Sequence, residues 1–202
     1  MTYYIVSEPT DDERWNMYLL YKLSFHKDKI VGVYYIPRIR YYGPVLKLDN
    51  ASDLSDIVKQ IDTNMFNVSL KMICMRCGWC CEKNCGAFMF EHEAESIELE
   101  SWSNVRTVRL YNGEKVKIYY LDSGRYGRCI FYDSRNRRCI IHDRKPIICI
   151  VTYCARYAID AEGNLYVREG RAINGIIRFK KVQTGYAHGR DKEHHNNNTS
   201  TT

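Results

Sequence analysis

Trp15, Met17, Leu19, Tyr21, Leu23 and Phe25 occupy successive odd positions, and Asn16, Lys22, Ser24 and His26 interrupt the even ones. A period of two predicts a strand. Thr10-Asp-Asp-Glu13 has the form of a capping box and offers a competing helix from Asp11, but the alternation outweighs it. His26 to Lys29 then forms a turn, Ile30 to Ile36 returns as a second strand, and Pro37 ends that strand or places it at a sheet edge. Arg38-Ile-Arg-Tyr-Tyr42 fits an edge strand with one wet face, and after Gly43-Pro44 a short strand covers Val45 to Leu48.

The period then changes. Leu54, Ile57, Val58, Ile61 and Met65 fall at i, i+3, i+4, i+7 and i+11, behind Asn50 or Ser52 as a cap and with Asp53 and Asp56 in the first turn. This spacing predicts a helix with a core-facing stripe. Phe90, Ala94, Ile97 and Ser101 mark one face of another helix, whose acids Glu91, Glu93, Glu95, Glu98 and Glu100 form a solvated face. Val105 to Leu121 reads as a hairpin. Val108, Leu110, Val116, Ile118 and Tyr120 are all even, so a two-residue Asn112-Gly113 loop would set apolar residues opposite lysines. A three-residue loop with Gly113 left-handed pairs Val108 with Val116 and removes the conflict. Asn164 to Arg168 is one more strand after the Glu162-Gly163 turn, and residues 188–202, with His194 and His195, read as a disordered tail.

These elements predict an α+β protein: a small antiparallel sheet with a helix over residues 1–68, then a cysteine-rich metal-binding domain over 69–187. The N-terminus lacks the basic start and apolar run of a secretory signal, and no stretch has the apolar length of a membrane span, which predicts a soluble cytoplasmic protein without a membrane partner.

Composition changes this picture at one point. All nine cysteines lie between Cys74 and Cys154, five of them in Cys74-Met-Arg-Cys-Gly-Trp-Cys-Cys-Glu-Lys-Asn-Cys85. Cytosolic thiols stay reduced, so such clustering points to metal before disulfides. The formal charge of +6 shrinks once thiolates are counted, because metal-bound cysteines are deprotonated, and it is weak evidence for nucleic acid. Arg38 to Tyr42 and Arg135 to Arg138 leave a zinc-stabilised nucleic-acid module as a third reading, the one least favoured.

The spacing suggests half of a site. Cys74/Cys77 and Cys77/Cys80 have zinc-knuckle spacing but share Cys77, and a zinc ribbon wants two separate knuckles. Cys139-x2-His142 also has knuckle spacing, but a lone histidine is more often structural and His142 is not counted as a ligand. Cys74, Cys77 and Cys80 match the first three positions of the bacterial ferredoxin run, whose fourth would fall on Asn84 where this chain has cysteine at 85. Cys129, Cys139 and Cys149, ten residues apart, are expected to complete the site. Adjacent side chains tend to diverge, so Cys80-Cys81 suggests two metals, a cluster plus a second site, or one ligand beside a reactive thiol.

Cys74-x2-Cys77-x2-Cys80-Cys81, followed by Gly-Arg-Cys129-Ile-Phe, Arg-Cys139-Ile-Ile-His and Lys-Pro146-Ile-Ile-Cys149, resembles the YkgJ-type cysteine-cluster family of zinc- or iron-chelating domains over about residues 74–154. The resemblance implies Cys74, Cys77, Cys80, Cys81, Cys129, Cys139 and Cys149 as the core metal set, with Cys85 and Cys154 accessory. Lys145 stands where the family usually has arginine, and Ile150 and Tyr153 replace its usual arginine and proline. The family is similar to flagellin lysine N-methylases, which are associated with an iron–sulfur cluster and S-adenosylmethionine.

The expected function is therefore metal binding, with an iron–sulfur cluster preferred to zinc. The alternative is iron–sulfur-dependent methylation of protein lysine with S-adenosylmethionine, which would make a protein the substrate. No Gly-rich strand-to-helix loop independently supports a pocket for that cofactor.

Overall fold

The structure, a computed structural model, describes residues 2–82, 86–97, 104–121, 127–152, 156–173 and 176–182. The chain runs β1 (Thr2–Val6), α1 (Glu13–Ser24), β2 (Ile30–Ile36), β3 (Tyr41–Leu48), β4 (Val58–Ile61), β5 (Leu70–Met72), α2 (Trp79–Glu82), β6 (Phe88–Phe90) and α3 (Glu91–Ala94). It continues through β7 (Val105–Arg109), β8 (Lys115–Tyr120), β9 (Tyr132–Asp133), β10 (Arg138–Cys139), α4 (Ile147–Val151), β11 (Tyr157–Ile159), β12 (Leu165–Ile173) and β13 (Ile176–Lys181). This is an α+β fold. Among the described residues, no helix is long and apolar enough to cross a membrane.

An antiparallel sheet in the order β13-β12-β11-β5-β2-β3-β1-β4 forms the frame. β5 pairs with β2 on one side, Tyr34 opposite Lys71, and with β11 on the other, Met72 opposite Ala158. Residue 68 therefore falls between strands of one continuous sheet, and β11 to β13 return to it after the cysteine region. A second sheet, β6-β8-β7, packs its Phe88, Phe90, Val116 and Ile118 against Leu19 and Leu23 of α1, Leu46 and Leu48 of β3, and Ile147 of α4. Full burial of each such aliphatic or aromatic side chain contributes about 1.5–3 kcal/mol.

Three expectations are corrected. Residues 13–24 form a helix, not a strand. Asp12 supplies the N-cap, accepting from the Arg14 backbone N at 2.9 Å, and Tyr18 and Leu20 fill even positions, so the apolar belt is broader than a two-residue period. Leu19 and Leu23, one helical turn apart, are the residues it buries. Residues 54–65 are not a helix. After a 3-10 turn at Ser52–Leu54, the chain enters β4, which covers the edge of β1 with Val58 opposite Val6 and Ile61 opposite Tyr3. The β-branched Ile57, Val58 and Ile61 suit that ladder, and pairing the open edge overrides the helical spacing.

The third correction concerns Arg38 to Tyr42. Pro37–Ile39 is a 3-10 turn, and Tyr41 starts β3, which is an interior strand between β2 and β1. β3 also runs through Pro44, which lies just past the last β1 partner, Val45 opposite Ile5. Buried Tyr41 takes over there: its hydroxyl accepts from the Val6 N at 3.1 Å and donates to the Pro44 carbonyl at 2.8 Å.

The hairpin matches its predicted register. Val108 faces Val116, Gly113 has φ of 88°, and the Leu110 N donates to the Glu114 carbonyl at 2.8 Å. β2 has the predicted bounds, and the strand expected at Asn164 to Arg168 is the longer β12. The helix expected from Phe90 begins there but is a single turn, α3, and residues 98–101 lie outside the described residues. The tail at 188–202 is likewise outside them.

Candidate metal centre

Six cysteines from three parts of the chain line one cavity of about 260 Å³: Cys74, Cys80, Cys81, Cys129, Cys139 and Cys149. Cys74 lies two residues after the end of β5, so the sheet sets where the first arm leaves it. Cys80 and Cys81 sit on α2, whose single turn is closed by the Glu82 N donating to the Gly78 carbonyl at 2.9 Å. The second arm docks on the first through the backbone, as the Cys129 N donates to the Cys81 carbonyl at 2.9 Å. Gly78 makes this approach possible: its φ is 71°, and a Cβ there would lie 2.5 Å from the Arg137 carbonyl oxygen and 2.7 Å from the Tyr132 ring.

Cys129 and Cys139 are held by the β9–β10 hairpin. Cys139 pairs with Tyr132, and the Tyr132 N donates to the Cys129 carbonyl at 3.0 Å. Asp133 closes the turn between the strands, its Oδ1 accepting from the Arg135 and Asn136 backbone N atoms at 3.0 and 3.1 Å. An apolar cluster of Met89, Ala94, Ile97, Leu121, Phe131 and Ile141 packs around buried Cys129 and seats the hairpin.

Cys149 sits on α4, and the support of that helix escaped the sequence reading. Glu93, predicted to lie on a solvated face, is 3 % exposed. Its Oε1 accepts from the Ile147 N, in the first turn of α4, at 2.8 Å and from Lys27 Nζ at 3.0 Å, while Oε2 accepts from its own Phe90 N at 3.2 Å. A buried carboxylate persists because each of these donors is paired to it. Its signal in the sequence was its place at the start of a helix, three residues after Phe90, where an acid can turn back to the backbone.

The thiols are electrostatically coupled. Hydrogen bonds to Cys129, Cys139 and Cys80 push the Cys81 thiol above the ordinary thiol range. The same contacts pull Cys80, Cys129 and Cys139 below it, and the charge of Lys145 lowers Cys80 and Cys139 further. Burial pushes Cys149 up to about 12. Lys145 Nζ stands 3.6 Å from Cys74 Sγ, so this cation is placed to offset thiolate charge on both arms. Soft thiolates gathered in a pocket that Arg76 and Lys145 also line suit zinc or iron. Among the described residues, no three histidine, cysteine, aspartate or glutamate side chains close around a single point as a finished ion site.

Cys80 and Cys81 do not diverge as neighbours were expected to, since both line the cavity. Cys77 is exposed and is not part of the lining, and Cys85 and Cys154 lie outside the described residues. His142, set aside in the sequence, does line the cavity.

Residues 73–168 match the family model described as "CxxCxxCC: Putative zinc- or iron-chelating domain". This segment is similar to the CxxCxxCC domain. No curated protein and no solved structure matches the chain. The matched segment contains every cysteine of the protein and begins at Ile73, the residue after β5. It ends at Arg168 within β12, so it includes β11 and the return to the main sheet. The matched family is described as zinc- or iron-chelating, which supports metal binding by this segment.

Proposed function

We propose that the matched segment holds an iron–sulfur cluster between Cys74, Cys80 and Cys81 on one arm and Cys129, Cys139 and Cys149 on the other. The observation that carries this reading is that six thiols from both arms share one cavity, enough to supply the four cysteine ligands of a cluster. Cys74 and Cys80 keep the first and third positions of the ferredoxin run, which favours a cluster over zinc, and the Cys81 thiol interacts with thiols of both arms.

An iron–sulfur cluster supplies one-electron transfer, with a potential set by charge, hydrogen bonds to sulfur and solvent exposure. This chain's own contribution is positional. The Cys129–Cys81 backbone bond holds the arms together, Glu93 fixes the start of α4 beneath Cys149, and Lys145 offsets the charge of the thiolates. Ala87, Leu121, Ile141 and Ile148 give the cavity mostly apolar walls.

The test is anaerobic purification followed by analysis of iron, acid-labile sulfide and zinc, with an absorption spectrum. Iron and sulfide with a broad visible charge-transfer band are expected. A colourless protein carrying stoichiometric zinc would overturn the cluster and reassign the thiols to zinc, and a stable metal-free protein would overturn both.

A further inference from the structure

The imidazole of His142 faces the cysteine cavity with one nitrogen that has nothing to bind. Nε2 is buried and has no hydrogen-bond partner among the described residues, a state that costs about 1–3 kcal/mol. The other ring nitrogen lies near a carboxylate: Nδ1 stands 3.6 Å from Asp143 Oδ1, and the same oxygen lies 3.7 Å from Arg76 Nη2. Histidines that ligate metals commonly turn their second nitrogen toward a carboxylate, which fixes the tautomer and leaves the first nitrogen's lone pair free.

Local structure explains why this side chain reaches the cavity. His142 opens a 3-10 turn three residues after Cys139, a spacing that zinc knuckles use. Between the two, Ile141 is buried in the cluster around Cys129 while Ile140 points to solvent. Burial of Ile141 therefore fixes the turn so that Cys139 and His142 line the same wall.

We propose that His142 Nε2 is a metal ligand of this cavity, which gives the centre a mixed sulfur and nitrogen donor set. The proposal rests on the metal-binding reading of the same cavity. Its consequence depends on the metal in one direction only: nitrogen in place of sulfur makes the site less negative, and in an iron–sulfur centre it raises the reduction potential. Asp143 and Arg76 act as positioning residues behind the ring.

The experiment uses the full-length chain, stripped of metal and loaded anaerobically with Zn2+, with X-ray absorption at the zinc edge as the readout. Expected are a sulfur shell at about 2.3 Å, a nitrogen shell at about 2.0–2.1 Å and the outer-shell scattering of an imidazole. His142→Ala should lose the imidazole features and weaken Zn2+ binding by more than the ~10–100-fold typical of losing an outer-shell partner. Replacing His188, His194 and His195 together should leave both unchanged. A sulfur-only shell in the unaltered protein overturns the histidine ligand while metal binding stands, and so does imidazole scattering that survives His142→Ala or disappears with the tail histidines. Failure of the protein to bind Zn2+ overturns the ligand, while the iron, sulfide and zinc content of the anaerobically purified protein decides the metal reading separately. If His142→Ala does not fold, the sulfur-only or imidazole-containing shell of the unaltered and tail-substituted proteins still decides the matter.

Discussion

Glu93 Oε1 accepts the backbone N–H of Ile147 at 2.8 Å, so a buried acid on α3 holds the helix that carries Cys149. Lys27 completes the contact from the 3-10 turn after α1, which makes one carboxylate a junction between that turn and the thiol cavity. Glu93→Ala leaves the Ile147 N–H and the Lys27 ammonium without their acceptor. The expected loss is about 1–3 kcal/mol of stability by urea unfolding, together with faster metal loss to a chelator. Glu93→Gln keeps an acceptor for Ile147 and should recover most of both. Equal damage from the two variants would show that the charge, not the hydrogen bond to α4, matters.

Gly78 gives a steric prediction. Alanine there meets a left-handed backbone, worth about 1–2 kcal/mol, and a carbonyl oxygen of Arg137 that has no freedom to swing aside. Gly78→Ala should separate the two arms and lower the metal retained per chain after dialysis. Gly113→Ala is the control, since φ there is also positive but nothing lies within 4 Å of the new Cβ. It should cost a similar backbone strain and leave the metal content unchanged.

Metal removal should loosen the chain unevenly. Residues 74–82 and 129–151 are joined by few backbone bonds, whereas β5 and β11 sit inside a long ladder. Hydrogen exchange on the metal-free protein should show lost protection over both cysteine arms. Protection should persist at Val33, Tyr35, Met72 and Ala158, which are buried in the main sheet. Uniform loss of protection across that sheet would mean that the metal supports the whole fold.

Tyr18 predicts an alkaline limit. Its hydroxyl donates to Asp56 Oδ2 at 2.5 Å, and that hydrogen bond raises the phenol from 10.0 to about 12. A raised folded-state value contributes stability that is complete below the unfolded value of 10.0 and is lost as pH climbs through about 12. Stability followed by denaturant unfolding should fall across that interval, and Tyr18→Phe should flatten the fall. An unchanged slope in the variant would remove Tyr18 from the account.

What the sequence revealed depended on how local the cause was. The register of β7 and β8 follows from parity and one glycine, so Val108 opposite Val116 was legible. The pairing of β4 with β1 depends on an open sheet edge distant in the chain, and the helical spacing of Leu54, Ile57 and Ile61 gave no sign of it. At the cavity, the cysteine groups were legible from density alone. Glu93 was hidden because an acid among acids looks solvated, and the second nitrogen of His142 had meaning only once its burial was visible.

Met72 and Ala158 lie side by side on neighbouring strands, although the whole of the cysteine region separates them in the chain. That region leaves the main sheet and rejoins it at one narrow neck, and its own strands, β6 to β10, make their ladders only with one another. Insertions or deletions within it can therefore resize the thiol cavity without shifting the register of any strand in the frame. Such a layout lets the metal chemistry diverge while the supporting sheet stays the same.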